Sequence, residues 1–396
     1  MLRWPEGLDP ARFLAEYWQK RPCLLRGFFP GFETPLSPDE LAGLACEPDV
    51  ESRLVIESGE TPWEVRAGPF APEDFGQLGE AGWTLLVQDV EKHLPDLAWI
   101  TESLGFLPRW RIDDLMISFA PPGGSVGPHV DAYDVFLLQG HGRRRWQLDT
   151  SPASLATLPG PEIAVLADFH PHQTFELDPG DALYLPPGVA HHGIALSACM
   201  TYSIGFRAPG RRELIESLAG YLAARAPEHA RFSDPDLTPD EVEGGLISPR
   251  ALERARRDLG PLAAGVDDLA LAEWFGALVT EPKLWLQPDS ASRPCAKTLE
   301  ERGRRGLGLV RHGMAILARA EAGGLALLFA CGRCWRLPGS LWPQVSLLAE
   351  RRAPTAEELQ PLVASPEGAA LLADLVEFGV FCFPEDEEPH IEEPGP

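Results

Sequence analysis

Between residues 113 and 207, apolar and polar positions alternate in short runs separated by glycine and proline. Asp114–Ala120, Tyr133–Gln139, Arg143–Leu148, Gln173–Leu177, Ala182–Leu185 and Met200–Phe206 each read as a strand. The turns fall at Pro121-Pro122-Gly123-Gly124, Gly140-His141-Gly142 and Asp178-Pro179-Gly180-Asp181. Short strands at hairpin spacing predict an all-β barrel or sandwich here. Residues 9–105 read as mainly helical instead. Asp9 and Ser37 stand as N-caps, each followed by a proline at the first turn and an apolar stripe, so these helices should cover the outside of the barrel.

Beyond Pro209-Gly210 the period changes. Leu214, Ile215, Leu218, Tyr221 and Leu222 form one helical stripe, and Leu271, Trp274, Phe275 and Leu278 form another. Neither has an obvious intrachain core, so they are expected to pack on the barrel or on a second chain. Pro282–Pro294 reads as a linker. Strand-like Met314–Ala318 and Leu325–Phe329, then helices near 340–349, 355–364 and 366–378, then Val380–Phe383, suggest a winged-helix-like module. Its end is acidic and carries no basic recognition helix, so DNA binding is not expected. The organisation predicted is a catalytic region over 1–210, a helical segment over 211–285 and a winged-helix-like region over 286–396.

The candidate chemistry sits in the β region. On a strand, side chains at i and i+2 share a face, so His129 and Asp131 in Gly127-Pro128-His129-Val130-Asp131 can grip one metal ion together. A histidine from the later run Pro186-Pro187-Gly188-Val189-Ala190-His191-His192 would complete two imidazoles and one carboxylate. That facial set leaves three positions of an octahedral Fe(II) for a bidentate cosubstrate and dioxygen. Parity does not choose between His191 and His192: they point to opposite faces, Ile194 and Leu196 side with His192, and a bulge after the Pro-Pro-Gly turn could reverse the count. The same H-x-D/E spacing at His390-Ile391-Glu392 lies in the acidic tail, without a strand context, and is taken as incidental. His93, His170, His172, His229 and His312 have no ligand-like partners.

Alternation also places Arg144 with Trp146 and Leu148, and Arg143 and Arg145 with Gln147. If the Trp/Leu face is interior, Arg144 is a buried cation, and a buried charge must be paired. A dicarboxylate cosubstrate would supply the counter-ion in bidentate geometry. The plainer reading of three consecutive arginines is a solvated edge strand. The same parity puts Tyr133, Val135 and Leu137 on the wall that carries His129 and Asp131. Ser118, with Met116 and Ala120, could offer a hydroxyl to the cosubstrate.

These motifs are long. Trp110–Phe119, GGSVGPHVDAYDVF, QGHGRRRW, PGDALYLPPGVAHHG and YSIGFRAP, with YWQKRPCLLRGFF and SPDELAGLA nearer the N-terminus, resemble the JmjC-type 2-oxoglutarate oxygenases of the cupin superfamily. More closely, they resemble the bacterial ribosomal oxygenases, which hydroxylate an arginine of a large-subunit ribosomal protein. The resemblance is strong over about the first 210 residues and looser beyond. It implies a double-stranded β-helix flanked by helices and a homodimer built through the helical segment. The cofactors it implies are Fe(II), 2-oxoglutarate and dioxygen. The family's Pro-Pro-Gly-x-x-His pattern matches His191, and its cosubstrate arginine matches Arg144. One departure stands out: a carboxamide is expected after Met200, where this chain has Thr201. Two rival readings share these ligands, a JmjC-type N-methyl demethylase and a non-catalytic metal-binding cupin acting as an interaction protein. The buried arginine argues against the second, and formaldehyde release would distinguish the first.

Composition changes the picture mainly through charge. With 34 basic against 59 acidic residues the net charge is −25. That repels nucleic-acid phosphate and favours a basic partner such as a ribosomal protein, although a generally acidic proteome would produce the same bias. Seven cysteines without framework spacing point to a reducing cytoplasm, and Cys331-Gly332-Arg333-Cys334 lacks the second pair that zinc would need. No apolar core follows the N-terminus as in a signal peptide, and no run is long and apolar enough to span a bilayer.

Overall fold

Twelve strands of the first 208 residues assemble into two antiparallel sheets. In chain order they are β1 (Cys23–Leu25), β2 (Ser52–Ile56), β3 (Glu64–Ala67), β4 (Trp83–Val87), β5 (Ile112–Ala120) and β6 (His129–Val130). There follow β7 (Val135–His141), β8 (Arg144–Asp149), β9 (Gln173–Leu177), β10 (Ala182–Leu185), β11 (Ala190–Ala195) and β12 (Cys199–Phe206). The larger sheet has the order β1-β10-β7-β12-β5-β4-β2-β3, and the smaller β6-β11-β8-β9. This is a computed structural model, and it describes all residues except 1, 58–62, 229–230, 239–249, 256, 258–265, 284–290, 292 and 385–396. The chain divides into two units, Met1–Ala208 and Pro209–Pro396.

Each face of the larger sheet buries a different set of side chains, as strand alternation requires. Leu115, Ile117, Phe136, Leu138, Tyr184, Tyr202 and Ile204 turn outward and pack under the N-terminal helices with Phe13, Phe28 and Leu41. Val135, Leu137, Leu183 and Leu185 turn inward and meet Trp146, Leu148 and Leu177 of the smaller sheet. The helices begin where their caps predict. Asp9 accepts from the Arg12 amide at 2.8 Å, and Ser37 and Glu40 form a reciprocal capping box.

Residues 9–105 are less helical than their sequence suggests. Besides short helices they contribute β1 through β4, which lengthen the larger sheet at both ends. The run in β4 is short and nearly continuously apolar, a pattern that periodicity cannot separate from buried helix.

In the second unit, β13 (Val310–Arg311) pairs with β17 (Phe381–Cys382), and β14 (Leu317–Ala322), β15 (Leu325–Ala330) and β16 (Arg333–Pro338) form a meander. Helices Ala296–Arg304, Trp342–Glu350, Ala356–Val363 and Pro366–Glu377 close a core around Leu328, Val345, Leu362, Leu372 and Phe381. Cys331 and Gly332, both at positive φ, make the β15–β16 turn. Helix Asp268–Thr280 corrects one expectation. It packs on this meander: a Cβ at Gly276 would stand 2.5 Å from the Phe329 ring, and Trp274 and Val279 are buried. That stripe therefore has an intrachain core, although Leu271 stays exposed. Helix Arg211–Ala223 buries none of its residues among those described, and Ile215 is 62% exposed. Much of the Pro282–Pro294 linker, His229, His390 and Glu392 lie outside the described residues.

Candidate metal and cosubstrate site

The site forms where β6 meets β11. His129 and His191 are direct partners in that ladder, with ring centroids 4.2 Å apart. Asp131 Oδ2 lies 3.6 Å from His191 Nε2 and 4.0 Å from His129 Nε2. One ligand atom from each of the three residues falls within 4.8 Å of the others, a group that could hold a metal ion. Both imidazoles are oriented alike. His129 Nδ1 contacts the Gly127 carbonyl at 2.9 Å and His191 Nδ1 the Val189 carbonyl at 3.0 Å, so each Nδ1–H donates to the backbone two residues earlier. That assignment leaves both Nε2 lone pairs free to coordinate.

The turns around the triad hold it in place. Gly127 sits at φ +79°, where a Cβ would press on Val165 and Trp63. Gly188, at φ +85°, donates its N–H to the Asp131 carbonyl at 2.9 Å and so ties the Pro-Pro-Gly turn to the H-x-D segment. The corner between β6 and β7 is anchored by buried Asp134. Its carboxylate accepts from Tyr184 Oη at 2.6 Å, Gln19 Nε2 at 2.8 Å and Arg111 Nη2 at 3.1 Å. Sequence reading passed over Asp134, since its partners lie far away in the chain. Tyr133 does not continue the inner wall as parity suggested. Residues 131–134 leave the strand, and Tyr133 is 43% exposed beside Asp131.

His191 is buried and His192 is only half-buried, with its Nε2 unpartnered. Burial and then the neighbouring His129 hold His191 well below the usual histidine range, so it is neutral at pH 7. Burial raises the Asp131 carboxyl, while the neighbouring His129 ring and the Tyr133 hydroxyl pull it back.

The inner face of β11 continues from His191 through Gly193 and Ala195, two small residues, because Trp146 and Arg144 fill the space opposite. A Cβ at Gly193 would stand 2.6 Å from Trp146 Cζ3 and 2.8 Å from Arg144 Nε. The bulky Ile194 faces the other way, and this is why apolar pattern alone could not choose the histidine.

Arg144 is 3% exposed. Its Nη1 reaches Thr201 Oγ1 at 3.3 Å and Ser118 Oγ at 3.5 Å, and its Nη2 donates to the Gly193 carbonyl at 3.3 Å. Its Cζ lies 5.0 Å from the Trp146 ring centroid, and its Nε has no partner. No carboxylate pairs with it among the described residues. Burial alone pulls the guanidinium below its ordinary value. By contrast Arg143 and Arg145 lie toward solvent and bridge Glu176 at 2.7 and 2.8 Å. Ser118 therefore reaches the arginine, while Leu137 packs in the cluster that includes Trp146.

Two imidazoles and a carboxylate, free at Nε2 and oxygen, make a donor set that suits Fe(II). A desolvated guanidinium on the same inner face, with an unpartnered donor, suits a carboxylate arriving from outside the chain. Gln139 is a second buried polar residue, besides Asp134, that sequence reading missed, although its parity with Leu137 could have revealed it.

Known proteins resemble this chain in both of its units. Residues 100–214 match the JmjC domain family, and residues 264–381 match the ROXA-like winged helix. The chain is 38% identical to the ribosomal protein uL16 3-hydroxylase of Escherichia coli, over 96% of this chain and 98% of that one. It is 37% identical to a probable ribosomal oxygenase of Haemophilus influenzae, over 65% of this chain and 61% of the relative. The structure of the E. coli ribosomal oxygenase YcfD in complex with cobalt and 2-oxoglutarate superposes with a TM-score of 0.81 at 37% identity, covering 96% of this chain and 100% of that one.

Proposed function

This chain belongs to the JmjC-type ribosomal oxygenases, and from that premise we propose that it is an Fe(II)- and 2-oxoglutarate-dependent hydroxylase of an arginine in a large-subunit ribosomal protein. The observation that carries the reading is Arg144: a buried cation without a carboxylate among the described residues, on the same inner face as a two-histidine, one-carboxylate cluster. A structural arginine in that position would leave an uncompensated charge.

In this reading His129, Asp131 and His191 hold Fe(II), and Arg144 pairs with the distal carboxylate of 2-oxoglutarate. Ser118 adds a hydroxyl near that pair and Leu137 an apolar wall. Fe(II) with 2-oxoglutarate and dioxygen supplies oxidative decarboxylation coupled to hydroxylation of an unactivated C–H bond. The protein's part is to orient and to exclude water. The Nδ1 contacts fix the imidazoles, Trp146 and Leu148 keep the arginine end dry, and the Asp134 corner fixes Asp131.

Selection of arginine is supported by the rim. Tyr133 presents a 43% exposed ring beside Asp131, with Asp114 and the cation Arg53 also acting on it. An aromatic face suits a guanidinium. The net charge of −25 favours a basic protein partner over nucleic acid. Residues 1–210 carry catalysis in this proposal. Assembly is a homodimer through the largely half-buried stripe of helix Arg211–Ala223, whose Ile215 is exposed, and the compartment is the cytoplasm. Among the described residues no helix is long and apolar enough to cross a membrane.

The decisive test is intact-mass analysis of a uL16-type ribosomal protein incubated with enzyme, Fe(II), 2-oxoglutarate and air. One added oxygen on an arginine, with succinate formed alongside, is the expected result. Loss of a methyl group with formaldehyde release would identify a demethylase instead.

A further inference from the structure

Gln139 is wholly buried on the inner face of β7, in line with Val135 and Leu137. An amide there must be fully hydrogen-bonded to be tolerated. It sits at a β-bulge: Thr201 pairs with Gln139 and Met200 with His141, so Gly140 is the extra residue. A side chain at Gly140 is excluded, because its Cβ would fall 2.3 Å from the Tyr202 ring.

The orientation of the Gln139 amide is decided by its surroundings. Its nitrogen donates to the His141 carbonyl at 2.7 Å and lies 3.3 Å from the Met200 carbonyl and 3.4 Å from the Gly142 carbonyl. Only its oxygen is left for Thr201, whose Oγ1 lies 3.4 Å away. Thr201 therefore donates toward Gln139 and turns its lone pairs to Arg144 Nη1 at 3.3 Å. The chain of donors runs one way, from Arg144 through Thr201 to Gln139 and on to the main chain of the bulge.

We infer that Gln139 is a positioning residue for cosubstrate binding, acting through Thr201 to fix which guanidinium donors of Arg144 remain available to an incoming carboxylate. The inference rests on the proposed role of Arg144 and adds a residue that touches neither cosubstrate nor metal.

The test is a double-mutant cycle read as 2-oxoglutarate affinity, measured by calorimetry without oxygen on the full-length Fe(II)-loaded protein. Gln139→Met and Thr201→Val should each weaken binding roughly three- to tenfold, the range for one lost hydrogen bond. Thr201→Ser should retain affinity. The double variant should be no weaker than either single one, because both cut the same chain. Unchanged affinity in Gln139→Met, or losses that multiply fully in the double variant, would overturn the inference. Should Gln139→Met not fold, Gln139→Leu removes the same acceptor and is read the same way; unchanged affinity there is equally fatal. Arg144→Ala serves as the control. If it binds 2-oxoglutarate normally, the proposed role of Arg144 fails, an outcome distinct from failure of the Gln139 link.

Discussion

His129 and His191 face each other across the β6–β11 ladder, 4.2 Å between ring centroids, and each ties Nδ1 to the carbonyl two residues before it. That symmetry leaves two Nε2 atoms converging on Asp131 and leaves His192, one residue on, outside the cluster.

Iron binding should follow this geometry. Wild-type protein reconstituted without oxygen should carry about one Fe(II) per chain, and Asp131→Ala or His191→Ala should reduce it to background. His192→Ala should keep it. Metal analysis after desalting reads the difference, and iron lost from His192→Ala but kept by His191→Ala would invalidate the ligand set.

Arg144→Ala should raise the 2-oxoglutarate requirement steeply while leaving iron in place. Removing one partner of a buried, hydrogen-bonded charge pair costs about 2–5 kcal/mol. Arg144→Lys should recover little, since a point charge cannot reproduce the fork. Arg143→Ala should be nearly neutral, because its partners Glu176 and Asp178 are solvent-exposed. Initial rates over a 2-oxoglutarate titration check all three, and the reverse order between Arg143 and Arg144 would sink the assignment.

Gly193→Ala tests the packing between the two halves of the site. Its Cβ would stand 2.6 Å from Trp146 and 2.8 Å from Arg144 Nε, so a ring, a guanidinium or the strand must shift. Overpacking of that kind typically costs about 1–3 kcal/mol. A lowered melting temperature together with weaker 2-oxoglutarate binding is expected. Full stability and affinity would show that the inner face has more room than these contacts allow.

Assembly and partner choice make a fourth case. Sedimentation should show a dimer, and Ile215→Asp, at the exposed position of helix Arg211–Ala223, should shift it toward monomer. Turnover on a basic ribosomal protein should slow as salt rises, because screening shortens the reach of the negative surface. A wild-type monomer would remove the assembly proposal. Stimulation of 2-oxoglutarate turnover by free nucleic acid, but not by ribosomal protein, would replace the proposed substrate.

By itself, the sequence determined whatever depends on neighbours along one strand or helix. The two-residue period placed Arg144 with Trp146 and Leu148 and brought His129 and Asp131 together, because alternation is a property of a single extended chain. Caps at Asp9 and Ser37 and the helices after residue 340 were legible for the same local reason. The tertiary structure decided what depends on the partner strand. His191 faces inward because Gly193 and Ala195 must clear Trp146 and Arg144, a steric demand written on β8 and not on β11. Strands β1 to β4 were hidden because runs of three to five residues are too short to show a period or announce their pairing. Tyr133 left the inner wall because Asp134 is drawn into a network with Gln19, Arg111 and Tyr184, which no spacing encodes. The Gln139–Thr201 contact exists only because a bulge shifts the register of two strands that lie some sixty residues apart (201 − 139 = 62).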